Sequence, residues 1–279
     1  IRNFANWFSY YRKREHVAKS AYGQVIAGAS NARMGLVTLH NNAGVKTALD
    51  SMNQDPTSGA KGTLLDSLYS FQASGGTPLR TALDESGKYL ACDPNTNFGT
   101  CPALPVASGG ECQANFNVLM TDGFYNGGYT GSGNADGNDD SLWDSGNSGP
   151  YGDTSSDTLA DIAMEYYEDD LRPGVANNLN PPPGGIDENT AQHMVTYSVA
   201  FGVNGTLNAM PANGTDPFTW PAPTTDPARI DDLRHAAFNG RGEYLNAQNP
   251  DQLVTGLRGA LASIQGRIGS AASVAFNTG

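Results

Sequence analysis

The sequence contains no apolar stretch long enough to cross a membrane, and it does not open with a signal peptide. No run among its 279 residues approaches the roughly 20 apolar residues of a transmembrane helix. Residue 1 begins neither a charged leader nor an apolar secretion core. We therefore expect no membrane span in this chain. If the protein is exported, its targeting segment lies upstream or has been removed.

Cysteine is scarce, and its spacing excludes the commonest structural zinc sites. The three cysteines, Cys92, Cys101 and Cys112, lack the paired C-x-x-C clamps that such sites use. A loop disulfide formed in an oxidising compartment is the better interpretation. Both Cys92–Cys101 and Cys101–Cys112 are compatible with the spacing, and either pairing leaves one free thiol.

Basic residues are absent from a long central stretch. No Lys or Arg occurs between Lys88 and Arg172, and the whole chain has 28 acidic against 16 basic residues. Such a stretch would repel a phosphate backbone, so we predict no nucleic-acid binding there. The acidic residues could instead hold cations, although most of them are expected to form a solvated surface.

Common catalytic fingerprints are also missing. The chain has no Walker motif, no G-x-G-x-x-G loop and no G-x-S-x-G elbow. Nucleotide binding therefore has no motif support, and a serine-hydrolase interpretation is weakened.

The sequence does contain an alternation of strands and amphipathic helices. We predict helices at 3–28, 61–72, 78–90, 156–171, 229–238 and 249–268, and strands at 32–40, 45–49, 116–121, 193–203 and 242–247. We expect Ser156 or Asp157 to cap the fourth of these helices. Long Gly/Asn/Asp-rich loops are predicted near 92–114, 124–155 and 204–228. This order predicts an α/β fold with a doubly wound, mainly parallel sheet and helices on both faces.

The stretch NFNVLMTDGFYNGG, residues 115–128, indicates where a ligand would bind. The uninterrupted apolar run at Val118, Leu119 and Met120 is typical of a central strand buried on both faces. Asp122 would then follow its carboxyl end, which is the ligand-binding edge of open α/β sheets. A plain turn at Asp122-Gly123 is the alternative. The following GFYNGGYTGSG is either an exposed contact loop or a packed one.

A second segment, SGGTPLRTAL at 74–83, places Thr77 in a glycine-flanked loop just before a helix. Together with Asp122 in VLMTDG, this resembles the von Willebrand factor A domain. The metal-dependent adhesion site of that family takes a threonine from one loop and an aspartate from another. The resemblance implies that Thr77 and Asp122 would bind Mg²⁺ or Ca²⁺, since a hydroxyl and a carboxylate are ligands that hard cations prefer. The remaining positions would accept water or a partner's carboxylate.

A more specific resemblance covers nearly the whole chain. NFANWFSYYRKRE, GGTPLRTALDESGKYL, CQANFNVLMTDGFYNG, DTLADIAMEYYEDDLRP, HMVTYSVAFGVNGTL and IDDLRHAAFNGRGEYLNAQNP, in this order, resemble the amino-terminal part of PilY-type tip adhesins of type IV pili. The resemblance implies export through the periplasm to the pilus tip, with roles in pilus assembly and surface attachment. Implied partners are minor pilins, other tip proteins and a host or abiotic surface ligand. It also implies a domain at 1–268, with 269–279 as a linker or the start of a β-rich module.

The chain departs from the adhesion-site pattern in one respect. The Asp-x-Ser-x-Ser loop should follow a central strand before residue 3, and DSGNS at 144–148 lies after Asp122 instead. We therefore expect the sheet to lack its first central strand. Candidates to fill that position are an upstream segment, which we favour, the tail SAASVAFNTG, or another subunit, because the neighbouring strands would otherwise bury unpaired backbone groups.

A further candidate cation site is DGNDDSLWD. Asp136, Asn138, Asp140 and Asp144 occupy the first, third, fifth and ninth positions of a calcium loop. Ser141 replaces the usual glycine and Asn147 the usual glutamate, so a solvated loop is the competing interpretation. His40, His193 and His235 could converge on a metal, but structural roles are favoured.

These observations favour an adhesion and assembly module rather than an enzyme. The structural alternative is a passive cap that contacts minor pilins without a metal. The enzymatic alternative is a metal-assisted hydrolase using Asp122 and a histidine. The sequence shows neither the convergent metal ligands nor the general base that such an enzyme needs.

Overall fold

The computed structural model describes residues 12–39, 45–137 and 149–273, together with Asn3, Ala5 and Phe8. The helices are α1 (Arg14–Gly28), α2 (Gly59–Ser70), α3 (Leu79–Leu90), α4 (Leu159–Glu168), α5 (Asp226–Asn239) and α6 (Pro250–Ser273). The strands are β1 (Arg33–Val37), β2 (Val45–Ser51), β3 (Asn115–Thr121), β4 (Met194–Phe201) and β5 (Arg241–Ala247). The predicted alternation of strands and helices is thus confirmed, and α6 runs past residue 268, where the division between domain and linker stays a prediction.

The main sheet has three parallel strands in the order β3-β4-β5. Asn115 pairs with Met194 at one end of the β3–β4 ladder and Thr121 with Ala200 at the other. Every residue of β4 is buried, whereas β3 is buried only in part. Within the described residues β3 has a strand partner on one side only, which is what we expect next to the position of a missing central strand.

Helices cover both faces of this sheet, as predicted. Leu119 and Ala200 face a core built with α3, α4 and α5. Val118, Met120 and Val199 face the opposite core, built with α1 and α6. Such alternation of side chains along β3 is the expected result of burial on both faces.

Strands β1 and β2 form a separate antiparallel pair, which we call the hairpin sheet. Met34 and Leu36 of β1 pack with Met52, Leu64 and Leu68, so the hairpin sheet rests mainly on α2. A cavity of about 1400 Å³ lies between the hairpin sheet and β3. It is lined by every residue of β1 and of β3, with apolar side chains from α1, α3 and α6 as its walls. We call this cavity the strand slot.

Two helix starts differ from the sequence-based expectation. Arg12 and Lys13 form a bend and Lys13 has extended backbone angles, so the single helix predicted over 3–28 is wrong at this point. The predicted cap of α4 at Ser156 or Asp157 is also wrong, because Thr158 caps the helix in a reciprocal capping box with Asp161. Asp157 has φ +58° and its carboxylate accepts N–H groups of Gly131 and Gly133 instead.

The disulfide joins Cys92 to Cys101, which decides between the two pairings left open by the spacing. Cys112 is a free, exposed thiol. The bridge closes a loop that follows α3, and Phe98 within this loop packs edge-on against Tyr89 of α3. No helix in the described residues is both long and apolar enough to cross a membrane.

Candidate functional site

Thr77 and Asp122 lie at the same end of the sheet, at the edge where β3 and β4 end, which we call the carboxyl rim. Asp122 directly follows β3, and Thr77 precedes α3. The Thr77 N–H donates to Asn126 Oδ1 and the Asn126 N–H donates to Thr77 O, both at 3.0 Å. Asn126 therefore ties the threonine loop to the aspartate loop. Thr77 and Asp122 also both line the strand slot.

The two oxygen groups at the rim are available for a ligand. The Asp122 side chain is exposed, and its carboxylate makes no hydrogen bond or ion pair with any described residue. The Thr77 hydroxyl has no hydrogen-bond partner within the described part of the chain either. The Arg14 guanidinium lies nearby and donates from Nη1 to the Asp122 carbonyl oxygen at 2.6 Å. Its positive charge would oppose a cation at Asp122 unless further negative groups join the site.

The rim loop after β3 is held by a buried hydrogen bond. Tyr125 is 4% exposed, and its hydroxyl donates to Asp232 Oδ2 at 2.7 Å. Asp232 of α5 also accepts the N–H groups of Leu159 and Ala160, at 3.1 Å each, in the first turn of α4. One carboxylate thus joins the rim loop, α4 and α5. The GFYNGGYTGSG segment is therefore anchored at Tyr125, while Asn126, Gly127 and Gly128 remain exposed.

The environment of Asp232 shifts its proton affinity. Burial raises the pKa of Asp232 to about 6, although the hydrogen bonds from Tyr125, Leu159 and Ala160 oppose the shift. In the unfolded chain an aspartate has a pKa of about 3.9. The Asp232 carboxyl group therefore holds up to one more proton in the folded protein than in the unfolded chain between about pH 4 and pH 6.

We predict a pH dependence of stability from this shift. As the pH rises from about 4 to 6, the contribution of Asp232 to the free energy of unfolding should fall by about 3 kcal/mol and then stay constant. Urea unfolding across this range, compared between the wild type and Asp232→Asn, isolates the contribution because asparagine does not titrate. A difference between the two proteins that is independent of pH would contradict the assignment.

Of the four residues of the predicted calcium loop, only the first, Asp136, lies within the described residues. Asp136 is 2% exposed, and its carboxylate accepts the Asp153 N–H at 3.2 Å and the Asn239 amide at 2.9 Å. Burial, together with Asp161 and Asp153, raises the pKa of Asp136 to about 9. Asn138, Asp140 and Asp144 lie outside the described residues, as does DSGNS at 144–148. The loop stays a prediction, and the described residues contain no cluster of three or more His, Cys, Asp or Glu side chains suited to a metal.

The described histidines of the predicted set have separate structural surroundings. His193 lies beside the amino end of β4, where its Nδ1 donates to Ala191 O at 2.8 Å. His235 of α5 stacks on Trp220, its Nε2 donates to Tyr151 O at 2.5 Å, and burial lowers its pKa to about 3. These contacts agree with the structural roles favoured from sequence. His40 lies outside the described residues.

Sequence reasoning missed the residues that hold the rim together. From sequence, Asn126 and Tyr125 are only members of a glycine-rich loop, and Arg14 is only one residue of the helix predicted over 3–28. The sequence offered no signal for Asp232, because its neighbours one helical turn away include the polar residues Arg229 and His235.

Comparison with known proteins places this geometry in context. No family model matches the chain. It is 30% identical over an alignment of 301 residues to the type IV pilus biogenesis factor PilY1 of Pseudomonas aeruginosa strain PAK, covering 95% of this chain. It is 32% identical over 311 residues to PilY1 of strain UCBPP-PA14, covering 99% of this chain. The chain spans about a quarter of the length of these relatives, 26% in each case.

Two solved structures show weaker likeness. An aerotolerance-related membrane protein from Bacteroides fragilis superposes with a TM-score of 0.45 at 13% identity, covering 91% of this chain and 90% of that one. The pilus adhesin SpaC from Lactobacillus rhamnosus GG, in its open conformation, gives a TM-score of 0.44 at 12% identity, covering 90% of this chain and 28% of SpaC.

Proposed function

We propose that this chain, which belongs to the PilY-type family over the region that it spans, is a docking module of a type IV pilus biogenesis factor. The similarity to PilY1 over 95–99% of the chain supports a role in pilus biogenesis. The module would act outside the cytoplasm, after export through the periplasm to the pilus tip. Its partners would be minor pilins or other tip proteins, and a surface ligand.

The observation that carries the docking role is the arrangement of Thr77 and Asp122. Both lie at the carboxyl rim, their loops are joined through Asn126, and their side-chain oxygens have no partner among the described residues. A rigid rim with available hydroxyl and carboxylate oxygens is suited to hold a ligand rather than to transform one. Neither His193 nor His235 contacts Asp122, so these two histidines give no support to the hydrolase alternative.

The side-chain oxygens of Thr77 and Asp122 are donors of the kind that a hard divalent cation prefers. Thr77 would supply a neutral oxygen and Asp122 a negative one, and Mg²⁺ or Ca²⁺ bound by so few protein groups keeps positions for water or a partner's carboxylate. When bound, the cation would supply a strong attraction for an acidic group of the partner. The chain's own contribution is to hold the two loops at a fixed separation through Asn126 and Tyr125.

Cation titration tests this function. We expect calorimetry with Mg²⁺ or Ca²⁺ to show binding to the wild type, and at least roughly tenfold weaker binding for Thr77→Ala and for Asp122→Ala, because each removes one of few protein ligands. Thr255→Ala and Asp251→Ala are matched controls, since both residues are exposed on α6.

The same titration separates docking through a cation from a passive structural cap. Flat traces for the wild type and all four variants would remove the cation from the proposal and favour the cap, which contacts pilins without a metal. Labelling that found the protein only in the cytoplasm would remove the pilus role altogether.

A further inference from the structure

A second cavity opens on the carboxyl rim beside the Thr77 loop, and it is basic in an acidic protein. Its volume is about 450 Å³, and among the described residues that line it, Arg80 and Arg229 are the only charged ones. The chain as a whole carries a formal charge of −12. This cavity is therefore locally positive within an acidic chain, because its described lining holds two arginines and no acidic residue. We call this cavity the arginine pocket.

Arg80 is held in place without being neutralised. Its Nη1 donates to Asp157 O at 2.9 Å and its Nη2 to Gly127 O at 2.6 Å. Both acceptors are backbone carbonyls, and no described carboxylate lies within ion-pair distance of Arg80. The guanidinium is thus fixed in one orientation while its full charge remains without a counter-ion.

Arg229 supplies the second charge from α5. Its guanidinium carbon lies 5.7 Å from the centre of the Tyr125 ring, and that of Arg80 lies 5.1 Å from the same centre. Tyr125 therefore holds both arginines close to one aromatic ring. Within the described part of the chain, the only acidic partner of Arg229 is Asp226, at 2.8 Å, in a pair whose side chains are 33% and 56% exposed. An exposed pair of this kind is weak and leaves Arg229 free to engage another carboxylate.

The rest of the lining indicates the size and chemistry of the ligand. The hydroxyl groups of Ser155, Ser156 and Thr224 line the pocket and hydrogen-bond to no described residue. Ala222 and Pro223 add apolar wall. The volume is several times that of a single phosphate ion, so the ligand should bring apolar atoms as well as negative charge. An aspartate or glutamate side chain within a peptide meets both requirements, and arginine is well suited to bind its carboxylate.

We propose that the arginine pocket binds an acidic side chain of a peptide segment that docks on the carboxyl rim. Asn126 connects the pocket to Thr77, because it lines the pocket and pairs with the Thr77 backbone. The identity of the peptide as part of a pilus partner rests on the proposed function. The pocket and its preference for a carboxylate do not depend on a cation at Thr77 and Asp122.

Fluorescence anisotropy with a defined probe tests the pocket directly. The probe is a fluorescein-labelled acetyl-Ala-Glu-Leu-Glu-Ala peptide, and the matched probe has Gln in place of both Glu residues. Measurements are made at low salt with EDTA present, so that a bound cation plays no part. We expect the Glu peptide to bind, the Gln peptide to bind at least roughly tenfold more weakly, and added salt to weaken the Glu peptide's binding.

Arginine variants assign the binding to the pocket. Arg229→Gln should weaken binding of the Glu peptide roughly tenfold, since it removes one charge-assisted contact. Arg258→Gln is the matched control, because Arg258 is an exposed arginine on α6 outside the pocket, and it should leave the affinity unchanged. Arg80→Gln should also weaken binding, and an unchanged thermal midpoint would show that its fold is intact. If Arg80→Gln does not fold, Arg229→Gln alone decides.

Three results would overturn the proposal. These are equal binding of the Glu and Gln peptides, equal affinities of Arg229→Gln and Arg258→Gln, and inorganic phosphate or sulfate binding more tightly than the Glu peptide. The last result would make the pocket an inorganic-anion site. Failure here is distinguishable from failure of the proposed function, because the cation titration of Asp122→Ala contains no peptide and this assay contains no cation.

Discussion

Completing the sheet between β1 and β3 is expected to raise the thermal midpoint of this chain by roughly 10 °C. The expected occupant is one extended, apolar segment of about seven residues, the length of β3, running parallel to it. Its backbone would pair with the open edges of β3 and β1, and its side chains would meet α1 and α6 on one face and α3 on the other. A net gain of a few kcal/mol corresponds to such a shift in a domain of this size.

The volume of the strand slot is the physical reason for this expectation. The slot has a volume of about 1400 Å³ and opens to solvent, so it can hold either solvent or an extended segment of polypeptide. Polypeptide is favoured because the slot is bounded by two strand edges, whose backbone groups need partners, and by apolar side chains.

The position of α1 indicates which polypeptide fits. Arg14, the first residue of α1, contacts the Asp122 carbonyl at the carboxyl rim. A strand parallel to β3 would end at this rim and could continue directly into the residues before α1 as a strand-helix unit. We therefore propose that the occupant precedes Ile1 in the gene product.

Thermal unfolding of the chain with and without those preceding residues measures the effect. The matched control is an extension of equal length in which two apolar residues are replaced by proline, because proline removes a backbone donor and should abolish the gain. Equal midpoints for the chain and for its unmodified extension would contradict the proposal. Occupation of the slot by another subunit would instead give a midpoint that depends on protein concentration.

Replacing Asp232 by alanine is expected to lower the free energy of unfolding by roughly 3–5 kcal/mol. The change leaves three buried donors without their acceptor, namely the Tyr125 hydroxyl and the N–H groups of Leu159 and Ala160. Each unsatisfied buried donor costs about 1–3 kcal/mol. Urea unfolding at about pH 7 measures the loss.

Two further variants separate this network from a general effect of removing an acid. Asp251→Ala, in the exposed first turn of α6, should change stability by less than about 0.5 kcal/mol. Tyr125→Phe removes only one of the three donors and should cost about 1 kcal/mol. A loss for Asp232→Ala no larger than that for Asp251→Ala would show that Asp232 does not join the rim loop to α4.

Local patterns predicted the elements well because each element obeys its own periodicity. The apolar run at Val118–Met120 predicted β3, and the helix predicted over 156–171 contains α4, whose Leu159, Ile162, Ala163 and Tyr166 are all buried. The weak strand at 45–49 was also correct, as β2. The PilY-type resemblance was confirmed by the similarity to PilY1 over 95–99% of the chain. It could be recognised from sequence because its motifs occur in order along the whole chain.

Contacts between distant residues were beyond such reasoning. Tyr125 and Asp232 lie 107 positions apart, and Arg80 and Asp157 lie 77 apart. Their pairing depends on how α3, α4 and α5 pack, which no periodicity encodes. The apolar run of β3 could not by itself show that one side of this strand is open, because such a run reports burial of side chains and not the number of neighbouring strands.

The separation of the hairpin sheet from β3 has a consequence for local unfolding. Strands β1 and β2 pair only with each other among the described residues, and their packing is mainly against α2. Opening of this unit leaves the β3–β4 and β4–β5 pairing intact. We therefore expect its amides to exchange with deuterium through an opening of lower free energy than the opening that exposes the amides of β4. A strand seated between the two sheets would join them into one cooperative unit, and this difference in exchange would then disappear.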